Sequence, residues 1–202
     1  MYRPGCASKD LDVPTTPPPL VITLGFDPST FDRLDRLRSR FFPADLNVVP
    51  AHLCLFHQLP GDEREEVDQT LDEVARSCPV MPLSFGSPKR TGRGFALPVE
   101  APGLGFIHSR LARAFAPWLS TQDRQSFRPH VTLMNKAGRA EVEEGLAEVR
   151  AIEAGWEGRG DRLILWRYLG GPWSEVESYD LSGPTAADVP RPSHRQPGAE
   201  AR

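Results

Sequence analysis

Two histidines stand apart because their surroundings match. His52 lies in Val49-Pro50-Ala51-His52-Leu53-Cys54-Leu55, and His130, 78 residues further on, lies in Arg128-Pro129-His130-Val131-Thr132-Leu133. Each closely follows a proline and opens an alternation of apolar and small polar residues. Successive side chains of a strand point to opposite faces. His52 and Cys54 therefore share one face and Leu53 and Leu55 the other; His130 and Thr132 likewise share a face, opposite Val131 and Leu133. The apolar faces pack beneath helices, and the histidine faces line a groove. If the two halves are related by a pseudo-twofold, both imidazoles converge on it. Such a pair can move two protons: one neutral ring takes a proton from an attacking hydroxyl or water, and the other, charged, gives one to the leaving oxygen. The Thr132 hydroxyl can donate to a non-bridging phosphate oxygen, and a basic side chain adds charge stabilisation. Arg128, which shares face parity with His130, is the best placed. This is phosphodiester chemistry that calls for no metal and no cofactor.

The elements that must position these residues alternate along the chain. Leu20 to Phe26 reads as a strand. Asp27-Pro28-Ser29 caps a helix whose inward stripe is Phe31, Leu34, Leu37 and Phe41. Asn47 to Leu59 reads as the strand bearing His52, Glu63 to Cys78 as an acidic helix with Val67, Leu71 and Val74 inward, and Val80 to Phe85 and Phe95 to Val99 as strands. Leu104 to Leu119 has helical periodicity through Ile107, Leu111, Phe115 and Trp118. Phe127 to Met134 is the strand bearing His130, and Arg139 to Ile152 is a further helix. Asp161 to Leu169 and Trp173 to Leu181 read as a hairpin around Gly170-Gly171-Pro172. The pattern is α+β. Residues 1–19, with five of the 21 prolines, and 183–202 read as flexible tails around a folded unit at 20–182.

Composition narrows the class. With 39% hydrophobic and 25% charged residues the chain has the make-up of a soluble globular protein, and no apolar run reaches the ~20 residues of a membrane helix. No secretory signal is expected, and three cysteines (Cys6, Cys54, Cys78) without metal-ligand spacing suit the cytoplasm. A net charge of −3 argues against coating nucleic acid by bulk electrostatics, although Lys89, Arg90 and Arg93, then Arg124, Arg128, Lys136 and Arg139, form acid-free basic stretches. The remaining histidines are set aside: His57 by its odd spacing from His52 unless a bulge intervenes, His108 as a helix residue beside an apolar stripe, His194 as part of the tail. Phe56, Trp166, Tyr168 and Trp173 are read as packing.

The doubled His-x-Thr-like motif, with an apolar last residue and about 80 residues between copies, resembles the 2H phosphoesterase superfamily, specifically the bacterial 2′-5′ RNA ligase family. The resemblance covers roughly Leu20 to Ser182. It implies a bilobal α+β fold, with two pseudo-symmetric antiparallel sheets flanked by helices around a central cleft. It also implies action on 2′-5′ linkages or 2′,3′-cyclic phosphate ends of RNA or nucleotides, with His52 and His130 as the catalytic pair and Thr132 on the phosphate; a monomer is the default expectation. The departure is Cys54, where the family has Thr or Ser. A thiol is a poorer donor than a hydroxyl, and loss of one phosphate contact costs on the order of 1 kcal/mol. Two other readings follow from that residue: a nucleotide- or RNA-binding module with a degenerate cleft, and a zinc site of His52, Cys54 and His130.

Overall fold

The computed structural model describes residues 16–152 and 155–185. Its strands are β1 (Leu20–Phe26), β2 (Leu53–Leu59), β3 (Met81–Phe85), β4 (Lys89–Thr91), β5 (Gly94–Glu100), β6 (His130–Met134), β7 (Trp156–Tyr168) and β8 (Trp173–Asp180). Its helices are α1 (Pro28–Phe41), α2 (Arg64–Ser77), α3 (Leu104–Ala114) and α4 (Arg139–Ile152). The order contains a repeat: β1-α1-β2-α2-β3 is followed, after the short β4, by β5-α3-β6-α4-β7. The pairings obey it too. All are antiparallel: β1–β2 corresponds to β5–β6 and β1–β7 to β5–β3, while β2–β6 and β3–β7 join the halves to each other. The two expected sheets are thus halves of one ladder that returns on itself through β1, β2, β6, β5, β3 and β7.

Local chemistry explains the elements. The Asp27 side chain accepts from Thr30 N–H at 2.8 Å, Pro28 starts α1 with its φ already set, and Leu34, Leu37 and Phe41 are buried. Each half's first helix reaches into the other half. Phe41 of α1 meets Phe95 of β5 edge-on at 5.6 Å, and Phe115, just past α3, meets Phe56 of β2 at 5.8 Å.

Several boundaries differ from the sequence reading. Helix α3 ends at Ala114, not Leu119, because Pro117 has no N–H and its ring opposes the carbonyl four residues back. Strands β2 and β6 begin at Leu53 and His130, after Pro50 and Pro129, since proline gives the ladder no donor. The basic Lys89–Thr91 segment is itself a strand, turned back onto β5 through Gly92. Strand β7 starts at Trp156, five residues ahead of the expected Asp161. In this added stretch a Cβ at Gly158 would lie 2.6 Å from Thr30 Oγ1 and one at Gly160 2.7 Å from a Leu24 methyl. The two glycines are there because α1 and β1 cross so closely. Pro19 O accepts from Tyr168 N–H and Gly183 N–H donates to Cys78 O, both at 2.9 Å; most of the two expected tails lies outside the described residues, as do Cys6 and His194. No described helix is long and apolar enough to cross a membrane.

Candidate active site

Strands β2 and β6 meet at the pair Leu53↔Val131, both fully buried. In an antiparallel ladder directly opposed residues point to the same side. The register therefore sets Cys54 against His130 and His52 against Thr132, all four on the cleft face. The two imidazoles stand on a diagonal of this ladder, where backbone positions are about 7–8 Å apart.

The two rings are held alike. His52 Nδ1 lies 2.7 Å from Pro50 O and His130 Nδ1 lies 2.8 Å from Arg128 O, in each case the carbonyl two residues upstream. A carbonyl only accepts, so Nδ1 carries the hydrogen in both rings and Nε2 is the atom left to the cleft.

Their surroundings differ. His52 is partly buried, with Trp173 of β8 packed on its ring at a centroid distance of 4.6 Å. Burial depresses its pKa to about 4, despite the opposing bond from Pro50, and charges on Arg38, His57 and His130 push the same way. His130 is exposed, beside the exposed Arg128. The cavity on the His52 side encloses about 370 Å³ among Phe26, Phe31, Arg162, Trp166 and Glu175; the one on the His130 side encloses about 290 Å³ among Cys54, His57, Asp123, Phe127 and Arg128.

Arg38 ties the two motifs together from below. It is 4% exposed; its Nε donates to Asn47 Oδ1 at 2.8 Å and Val49 O at 3.0 Å, and its Nη1 to Thr132 O at 2.8 Å. Phe42 lies against the guanidinium at 4.0 Å. Burial lowers its pKa to about 10, with Asp35 opposing, so it stays charged at neutral pH. Asp35 in turn accepts from Ala51 N–H at 3.0 Å. One helix thus grips the approach to His52 and the backbone of the second motif. The signal was present in the sequence, as a cation four residues after Leu34 and three before Phe41 in an otherwise apolar stripe.

His57 is a correction to the parity argument. Thr23 pairs with Cys54 but Ile22 pairs with Phe56, so β2 carries an extra residue at Leu55. Leu55 and Phe56 are both buried, and His57 emerges on the cleft side next to Cys54 and His130. Its partner is Asp123, which sits in the connection after α3. His108 also reaches this cavity, stacked at 4.9 Å on Phe56 and 3.9 Å on Phe127. Asp123 gave no sequence signal, being one acid in a polar connection.

Cys54 is present where the motif requires, but its thiol is engaged: Sγ lies 3.4 Å from Phe56 O and 3.8 Å from Ile22 O, and burial, with Asp123 nearby, raises its pKa. Among the described residues no group of three His, Cys, Asp or Glu side chains is placed to hold a metal ion, the trio His52, Cys54 and His130 included.

Known proteins share this fold. The fold matches TT0787 of Thermus thermophilus with a TM-score of 0.61 at 18% identity, over 82% of this chain and 98% of that one. It matches E. coli LigT complexed with 3′-AMP at 0.57 and 18%, over 82% and 99% of the two chains. A protein described as a phosphoesterase matches at 0.55 and 17%, again over 82% and 99%. No curated protein matches the sequence. Residues 26–172, which contain both histidine motifs and run from the end of β1 through β7, match the 2′-5′ RNA ligase superfamily, and the chain belongs to that family.

Proposed function

We propose that the protein is a metal-independent phosphoesterase of the 2′-5′ RNA ligase type. On this reading it opens 2′,3′-cyclic phosphate ends, or cleaves or forms 2′-5′ linkages, in RNA or nucleotides. The observation that carries it is the matched pair of Nδ1–carbonyl bonds, which present two Nε2 atoms to one cleft. His52, neutral at pH 7 because its pKa is depressed, takes the proton from the attacking water or hydroxyl. The new P–O bond forms as the bond to the leaving ribose oxygen breaks, and His130 Nε2–H protonates that oxygen. Thr132 donates to a non-bridging oxygen, and Arg128 offers charge at the cavity mouth. Structural neighbours that hold 3′-AMP, NADP+ or ATP support a nucleotide-sized ligand. The same reading makes the working unit a cytoplasmic monomer, where the free thiols of Cys54 and Cys78 stay reduced.

The test is a short RNA ending in a 2′,3′-cyclic phosphate, incubated with the protein in excess EDTA. The expected result is one monophosphate product, with none from the His130→Ala protein. Turnover retained in both His52→Ala and His130→Ala would overturn the reading. The engaged Cys54 thiol favours one second reading, a cleft that binds such ends without converting them. Binding without product, with turnover restored by Cys54→Thr, would select it.

A further inference from the structure

The first half of the cleft lacks a hydroxyl equivalent to that of Thr132, and the Cys54 thiol is directed at the main chain. The bulge that supplies the Phe56 carbonyl is the same one that turns His57 into the cleft. His57 is firmly supported there. Its Nδ1 lies 2.9 Å from Asp123 Oδ1, and its backbone N–H donates to the same oxygen at 2.9 Å. The Gln58 N–H donates to Asp123 Oδ2 at 3.3 Å and the Ser120 hydroxyl at 2.8 Å. The Asp123 side chain is 0% exposed, whereas that of His57 is 44% exposed. Burial alone would raise the Asp123 carboxyl, but the bonds from His57 and Ser120 outweigh it and hold the carboxyl ionised.

A buried carboxylate with this many donors fixes the ring above it. It takes up Nδ1–H and leaves Nε2 as the nitrogen facing the cavity shared with Cys54, Arg128 and His130. The titratable and charged groups around that cavity are Asp123 beneath, Arg128 and His130 on the second motif, and His108 of α3, whose pKa burial lowers. A proton on Nε2 makes His57 an imidazolium between the Asp123 carboxylate and an anion arriving in the cavity, a charge-assisted arrangement on both sides.

We propose that His57 is a phosphate-binding residue of the first half, donating from Nε2 to a non-bridging phosphate oxygen as Thr132 donates in the second half. This rests on the phosphoesterase reading above and extends it to a residue outside the paired motifs.

The decisive variant is His57→Asn, whose amide can keep the hydrogen bond to Asp123 in place of Nδ1–H but has nothing at the position of Nε2. With cyclic-phosphate RNA as substrate, kcat/KM is expected to fall about 10- to 100-fold, the worth of one charge-assisted hydrogen bond, with an unchanged melting midpoint. His57→Ala is expected to lose as much. Wild-type kcat/KM in His57→Asn, alongside a loss in His57→Ala, would overturn the proposal and leave His57 as a support for Asp123. Turnover abolished by His130→Ala but untouched by either His57 variant would overturn it while keeping the phosphoesterase reading. Binding of the same RNA carrying a 3′-monophosphate, followed by fluorescence anisotropy, is the second readout and needs no turnover. At least tenfold weaker binding by His57→Asn supports the proposal, and equal binding overturns it. Neither turnover nor binding by the unaltered protein would remove both readings together.

Discussion

The His52 half and the His130 half share a backbone plan and differ in what covers it. In both, a strand-helix-strand unit delivers an imidazole whose Nδ1 is bonded to the carbonyl two residues back. In the first half Trp173 packs on the ring and burial lowers its affinity for a proton; in the second the ring stands exposed beside Arg128. The reason is topological. Strand β7 continues into a hairpin with β8, and that hairpin brings Trp173 to one histidine. Repeated backbone gives equal orientation, and the extra cover on one side depresses the proton affinity of His52. On the proposed mechanism that keeps His52 neutral and able to accept a proton at pH 7.

The comparison can be broken at several points. Alanine at either His52 or His130 is expected to lower turnover of cyclic-phosphate RNA by about 10²–10⁴-fold. In the wild type kcat/KM should fall as pH drops through about 4, where His52 takes up a proton and ceases to be a base. An acid limb near the ordinary histidine value would refute the assignment of roles. Arg38→Met should destabilise both halves together by about 3 kcal/mol in urea unfolding, because the acceptors at Asn47, Val49 and Thr132 lose their donor.

A smaller effect is on stability against pH. Unfolded His52 titrates near 6.5 and folded His52 near 4, so between these values the unfolded chain binds more protons. Stability is therefore fully present above pH 6.5 and falls toward pH 4, by roughly 2–3 kcal/mol from this residue. The His52→Gln protein should show a correspondingly shallower fall in denaturant titrations. Smallest is Trp173→Ala. By admitting water it should raise the His52 titration point toward the ordinary imidazole value, read from imidazole proton resonances, while the His130 resonances keep their chemical shifts.

What could be read in the sequence was whatever depends on neighbours along the chain. The caps, the helical stripes, the hairpin and the shared faces around His52 and His130 follow from spacing alone, and the structure repeats them. Proline shifted several ends in ways its chemistry accounts for, as at Pro117 and Pro129. His57 was lost for a different reason: alternation counts residues, and one extra residue at Leu55 reverses the side chains that follow it until the next shift in register. Asp123 and Trp173 act on residues 66 and 121 positions away. Nothing in their own segments marks them, because their partners are chosen by closure of the sheet.

That closure sets an order of assembly. Strand β7 pairs with β1 along one stretch and with β3 along another, joining strands more than 50 residues apart, and β8 can pair only once β7 is in place. Contacts of such long sequence separation form slowly. Until they form, the outer edges of β1 and β3 are unpaired and Trp173 does not cover His52. A chain emerging from the ribosome can thus bring both histidines onto neighbouring strands while their surroundings are still alike, and the difference between the two rings arrives with the last hairpin.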